Sequence, residues 1–168
     1  MRDADSSVLQ FVTFRLDGEL FALPLASVTE VMRMVAVTAL PDSPAWLAGV
    51  INVRGDVVPV VDLRRRLNLP IQSAGLDSRI IVVDMGGRAV ALIADSTANV
   101  LSLPAESVRP PDELTRQAHP VEAMARDGDR LVPVLDLRQV ALGLPRLGSA
   151  EIPGEEQDEC LTTGARVL

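Results

Sequence analysis

Lysine and tyrosine are absent from this chain, and cysteine, histidine and tryptophan each occur once. The lone Cys160 excludes an internal disulfide and any cysteine-based metal cluster, and a reducing compartment is expected. A zinc site needs several ligands at close spacing, so the sole histidine, His119 between Ala118 and Pro120, reads as a surface residue. Only Phe11, Phe14, Phe21 and Trp46 are aromatic, and all precede residue 50. Valine, leucine, isoleucine and alanine must therefore fill the core, a composition that favours strands. Long hydrophobic runs are missing too, and none approaches the ~18 residues of a membrane helix. The opening MRDADSS reads as neither a signal nor a transit peptide, so a cytoplasmic protein without direct membrane insertion is expected.

Positive charge is also scarce. The formal charge is −7, and residues 147–168 hold five acids (Glu151, Glu155, Glu156, Asp158, Glu159) against Arg166. The preceding residues carry 18 acids and 15 arginines, a net of −3. Without a basic face or stacking aromatics, nucleic acid is not the expected partner.

What is present is a repeat. GVINVRGDVVPVVDLRRRLNLP at 49–70 returns as DGDRLVPVLDLRQVALGLP at 127–145. In each copy a turn leads into a proline-bearing strand, an aspartate (Asp62, Asp136) caps a short helix, and proline follows its end. The turn of the first copy is Arg54-Gly55-Asp56, and its helix is expected to run about two turns over 62–69. Pro59 gives no N–H to a ladder, which predicts an edge strand or a bulge there. Upstream, FRLDGELFALPL at 14–25 matches VVDMGGRAVALIA at 82–94 in its order of strand, glycine turn and strand. ASVTEVMRM at 26–34 places Val28, Val31 and Met32 at helical spacing and predicts a short helix. The expected architecture is mainly β, two small barrels packed together, with halves of roughly 9–70 and 79–145 joined by IQSAGLDS at 71–78. Residues 1–8 and the acidic segment 146–168 flank this unit, the latter read as a solvated tail.

Chemistry is weakly signalled. Asp95-Ser96-Thr97-Ala98 echoes an aspartic-protease turn but ends in alanine and has no partner triplet, so a strand-end turn is expected. A hydrolase pairing Asp95 with Asp62 or Asp136 is the enzymatic alternative, and a barrel-type nucleic-acid binder is a third reading. Gly86-Gly87 lacks the pattern of a phosphate cradle. No serine lies in a nucleophile elbow, and no metal or cofactor is expected. Arg64-Arg65-Arg66 reads as a solvated helix face complementing the helix C-terminus. Arg54, in a turn between apolar strands, is expected to pair with Glu30, to be presented to a partner protein, or both.

The ordered motifs FRLDGELFALPL at 14–25, VTEV at 28–31, Pro41, Pro44 and Trp46-Leu47, GVINVRG at 49–55, VPVVDLR at 58–64 and LSLPAESVRPP at 101–111 resemble a CheW-type coupling domain over residues 9–145. The resemblance implies two five-stranded, SH3-like β-barrel subdomains and a non-enzymatic adaptor. Its implied partners are the cytoplasmic tip of a chemoreceptor and a CheA-type histidine kinase. It implies a receptor groove at Val28, Glu30, Gly49, Val50, Asn52, Arg54 and Val100, and a kinase or ring contact near Asp112, Glu113 and Leu114.

Overall fold

The computed structural model describes residues 7–145, so the acidic tail and Cys160 lie outside the described residues. In chain order the elements are β1 (Val8–Leu16), β2 (Glu19–Pro24), a 3-10 turn (Leu25–Ser27), β3 (Val28–Arg33), β4 (Leu47–Val53), β5 (Asp56–Asp62) and α1 (Leu63–Arg66). The second part follows the same plan with one more strand and one more helix: β6 (Arg79–Asp84), β7 (Ala89–Ala94), β8 (Ser96–Pro104), a 3-10 turn (Ala105–Ser107), β9 (Val108–Arg109), α2 (Glu113–Ala118), β10 (Val121–Asp127), β11 (Arg130–Leu135) and α3 (Leu137–Val140).

The strands form two sheets, one six-stranded in the order β8-β1-β2-β11-β10-β9 and one five-stranded in the order β3-β6-β7-β5-β4. The mainly β, two-unit architecture expected from the sequence is present, but one unit carries six strands where five were expected, because the short β9 adds to β10, and the sequential halves are not its units. The β1–β2 hairpin of the first half sits between β8 and β11 of the second, and the β6–β7 hairpin of the second sits between β3 and β5 of the first. The halves have exchanged hairpins. Their equivalence survives the exchange in matching parallel bridges, Val60 beside Ala91 in one sheet and Val134 beside Ala22 in the other. Even the outer covers correspond: Thr38 bridges Val50 of β4, and Arg109 of β9 pairs with Met124 of β10.

Period-2 alternation sends each strand's two faces into different cores. Ile81 and Val83 of β6 join Phe14, Leu16, Phe21, Leu23, Val61 and Leu135 in a cluster drawn from both sheets. Ile80 and Val82 point the other way, into a cluster with Ile51, Val58, Val60 and Ala91 of their own sheet. Phe11, Ala22, Leu103, Ala125, Val132 and Val134 form the counterpart in the six-stranded sheet. This explains why RIIVVD and VVPVV are continuously apolar, since strands buried on both faces need no polar alternation.

Three local expectations are corrected. Residues 28–33 form a strand, β3, whose exposure alternates residue by residue, because pairing with β6 and the β-branched Val28, Thr29 and Val31 override the helical spacing. The α1 helix is a single turn ended by Asn68 at φ 58°, shorter than the expected 62–69. Pro59 lies in an interior strand: it faces Val50 of β4, and the parallel ladder to β7 begins one residue later at Val60, so its missing N–H costs no bond on that side. The irregularity sits on the opposing strand, between Leu47 and Gly49.

Candidate functional site

Two positive backbone angles build the tip of the β4–β5 hairpin. Val53 pairs with Asp56, leaving Arg54 (φ 52°) and Gly55 (φ 91°) as a two-residue loop. This is the φ signature of the type I′ turn, whose twist matches that of paired strands. The β1–β2 hairpin uses Asp17 (φ 53°) and Gly18 (φ 81°) in the same way. Aspartate is an ordinary choice at the first position, because a short polar side chain can hydrogen-bond the local backbone and offset the crowding of its Cβ in the left-handed region; arginine has no such short-range compensation. Asn52 braces the loop by accepting the Gly55 N–H at its Oδ1, 2.9 Å away. The Arg54 side chain, 78% exposed, is thereby held out at the tip.

Its ionic partner among the described residues is Glu30, whose Oε1 lies 3.4 Å from Arg54 Nη2. Glu30 belongs to β3, which bulges at Thr29: Val28 pairs with Val83 and Glu30 with Val82, while the Thr29 hydroxyl donates to the Val82 carbonyl at 3.1 Å. A bulge re-aims the residues around it. It leaves Val28 against the core shared by both sheets and Glu30 facing Arg54. The expected ion pair is present, and it ties the end strand β3 to the β4–β5 turn at the other end of the five-stranded sheet.

The other expected groove residues divide. Gly49 (φ 145°) has Thr38 so close that a Cβ would lie 2.1 Å from the Thr38 carbonyl oxygen, and Val50 exchanges two 2.9 Å backbone bonds with Thr38. Val50 is buried, at 1% exposure, so its side chain offers no surface. These two shape the strand on which Asn52 and Arg54 stand. Val100 is exposed, but it sits on β8 opposite Val12, in the other sheet. In the second cluster Asp112 caps α2, its Oδ1 accepting the Thr115 N–H at 2.8 Å, and hydrogen bonding from the Thr115 side chain, with its backbone N–H, holds the carboxyl below the usual range. Glu113 pairs with Arg116 at 3.2 Å, and Leu114 is 78% exposed.

The arginine run does work the sequence did not reveal. Arg64 is buried rather than solvated: its Nε and Nη2 donate to Asp95 Oδ1 and Oδ2 at 2.9 and 2.7 Å, and Nη1 donates to the Pro70 carbonyl at 2.6 Å. Asp95 also accepts the Asp17 N–H at 2.8 Å, so one carboxylate ties α1 to the β1–β2 turn across the two sheets. The guanidinium holds the Asp95 carboxyl below the ordinary carboxylate range, and Asp95 in turn raises Arg64. Arg66 reaches the carbonyls of Gln139, Val140 and Leu142 at the end of α3, at 2.8, 2.9 and 2.9 Å, and lies 4.2 Å over the Trp46 ring. The dipole complement expected within α1 is thus made to the other repeat's helix. Only Arg65, 3.4 Å from Asp62, fits the surface reading.

The carboxylates of the enzymatic alternative are all structurally engaged: Asp95 as above, Asp62 capping α1 through Arg64 N and Arg65 N, and Asp136 capping α3 through Arg138 N. Asp62 and Asp95 line one small cavity together with Arg64 and Arg65, but Asp95 is committed to the Arg64 guanidinium and held below the ordinary carboxylate range, the opposite of a carboxyl that shares a proton with its neighbour. His119 is half-buried at the end of α2 with Nδ1 shielded, not the surface residue expected. Among the described residues no helix is long and apolar enough to cross a membrane.

Comparison with known proteins bears on the family and the fold. The family model described as "CheW-like domain" matches residues 10–142. The chemotaxis protein CheW of Klebsiella aerogenes is 29% identical over 133 residues, 78% of this chain and 80% of that protein. The CheW of Helicobacter pylori is 25% identical over 140 residues, covering 83% and 85%. The crystal structure of the scaffolding protein TtCheW from Thermoanaerobacter tengcongensis superposes with a TM-score of 0.78 at 31% identity, covering 82% of this chain and 95% of that one.

Proposed function

Because this chain belongs to the CheW-like domain family, whose members are adaptor and scaffold proteins of chemotaxis, we propose that it couples chemoreceptors to a CheA-type histidine kinase without catalysing a reaction. The observation that carries this reading is the family match across both sheets, residues 10–142, which takes in the whole exchanged fold. The receptor tip, an amphipathic helix, docks where Arg54 and Glu30 provide polar anchors beside Val28 and Asn52, with Val100 on the neighbouring sheet as an apolar contact. Gly49 and Val50 contribute by shaping β4. The kinase meets the face carrying Asp112, Glu113 and the exposed Leu114.

The protein acts in the cytoplasm and reaches the membrane through its receptors. Each contact can be small and of micromolar strength, because a signalling array multiplies weak contacts through avidity. The test is co-purification from native cytoplasm with the tagged chain and with Arg54→Glu. A kinase and a receptor should be retained by the unaltered chain, and the receptor alone lost with Arg54→Glu at unchanged circular dichroism. Undiminished receptor capture by a folded Arg54→Glu chain removes the site, and recovery of neither partner by the unaltered chain removes the function.

A further inference from the structure

The hairpin exchange between halves has a consequence for a second copy of the chain. Every ladder that joins the halves, β1 to β8, β2 to β11, β3 to β6 and β5 to β7, depends on strand register and not on which molecule supplies the strand. One covalent link, residues 71–78, runs from the end of the first half to β6. Residues 70–77 form the longest uninterrupted exposed run among the described residues. The Arg64 bond to the Pro70 carbonyl and a small cavity that residues 71–74 wall with Arg64 and Asp95 hold its near end, and the hydrogen bonds of Gly75 and Leu76 go to Ser78 and Arg79 at its far end. It also carries two apolar side chains with little cover, Ile71 at 67% and Leu76 at 99% exposure.

We propose that the chain assembles with a second copy of itself by exchanging halves: the connector opens, and each molecule's β1–β5 segment completes the sheets of the other's β6–β11 segment. Both folded units are rebuilt with every ladder intact, and only the connectors change conformation. They then run side by side near the two-fold axis, where Ile71 and Leu76 of the two copies cover one another. Exchange of this kind is an inexpensive route to a dimer, because few interactions have to be invented. The product carries two complete copies of every surface patch and binds its partners bivalently.

Chain connectivity sets the balance. A short flexible linker gives an effective concentration on the order of millimolar, so the closed monomer dominates at tens of micromolar, roughly. Removing residues 72–75 shortens the reach of the connector and should shift the population toward the exchanged dimer. The test places a reporter disulfide between halves. Gln10 on β1 and Ser102 on β8 are exposed cross-strand partners with side-chain atoms 3.2 Å apart, and such pairs lie within disulfide reach. Full-length chain carrying Gln10→Cys, Ser102→Cys and Cys160→Ser is oxidised with and without the connector deletion, sized by light scattering, and run on a denaturing gel.

The expected result is a dimer share rising about tenfold or more on deletion, with the disulfide joining two chains in the dimer and closing within one chain in the monomer. A shortened chain that stays monomeric and natively folded overturns the proposal. So does a dimer whose disulfides are intrachain, which marks face-to-face association. Should the shortened chain fail to fold, the full-length triple variant is refolded from denaturant at high concentration: interchain disulfide in its dimer fraction supports exchange, and intrachain disulfide alone overturns it.

Discussion

Replacing Arg54 with asparagine separates its energetic role from its role at the surface. Its φ of 52° is unfavourable for a long side chain by about 1 kcal/mol, whereas asparagine tolerates the left-handed region, so Arg54→Asn should recover about 0.5–1 kcal/mol. The loss to set against this is the pair with Glu30. At 3.4 Å, with Arg54 78% exposed, that pair contributes no more than about 0.5 kcal/mol. The Asn52–Gly55 brace is untouched. Arg54→Asn should therefore be neutral to slightly stabilising, moving Tm upward by about 1–2 °C in a domain of this size. Receptor affinity should fall about tenfold or more, the cost of truncating an arginine anchor. Calorimetry and urea unfolding give the first quantity, and titration of a receptor-tip fragment gives the second. A fall in Tm of more than about 4 °C would refute the reasoning, because it would make Arg54 a fold-determining residue whose exposure is incidental.

Other perturbations test the framework beneath the site. Asp95→Asn leaves the Arg64 guanidinium buried without its partner and should cost about 2–3 kcal/mol, less than for a fully buried pair because the Asp95 side chain is 33% exposed and Asp17 remains 3.6 Å from Arg64. Since the folded state lowers the Asp95 pKa, its contribution is complete above the ordinary carboxylate range and fades as pH falls through the lowered value. The gap between wild type and Asp95→Asn in urea unfolding should accordingly narrow from pH 7 to pH 2, and a constant gap contradicts the linkage. Gly49→Ala puts a Cβ 2.1 Å from the Thr38 oxygen and should cost about 3 kcal/mol or prevent folding; a penalty under about 1 kcal/mol means the Thr38 segment does not press on β4 as described. Arg66→Lys cannot serve three carbonyls and stack on Trp46, so it should lose about 1–2 kcal/mol and shift the Trp46 emission, and unchanged emission would dispose of the stacking.

Much of the local chemistry was legible in the residues themselves. The Asp62 and Asp136 caps, the Asp17-Gly18 and Arg54-Gly55 turns, and the Glu30–Arg54 pair follow from short-range rules about side-chain oxygens, positive φ and opposite charge. The strand nature of 28–33 was not legible, because Val28, Val31 and Met32 fit a helix as well as a strand until β6 lies beside them. Nor were the separate fates of Arg64, Arg65 and Arg66, since a one-turn helix points three adjacent side chains in three directions and only the packed surroundings say what each meets.

By itself, then, the sequence determined a β protein made of two equivalent units, each with a hairpin, a proline-bearing strand and an Asp-capped turn of helix. Which hairpin completes which unit was decided only in three dimensions. Alternation and turn chemistry specify how a strand presents its faces, and they are nearly the same for β1–β2 and β6–β7, so they carry no address for the partner strand. The address comes from long-range packing. Phe14 and Phe21 of the β1–β2 hairpin pack with Val61, Ile81, Val83 and Leu135 in the cluster that both sheets share, and Asp95 fastens the β1–β2 turn to α1 across them. The cost of closing the intervening chain grows only slowly with its length, so even for the pairings of Val12 with Val100 and of Ala22 with Val134, far apart in the chain, it is readily outweighed by the apolar surface they bury.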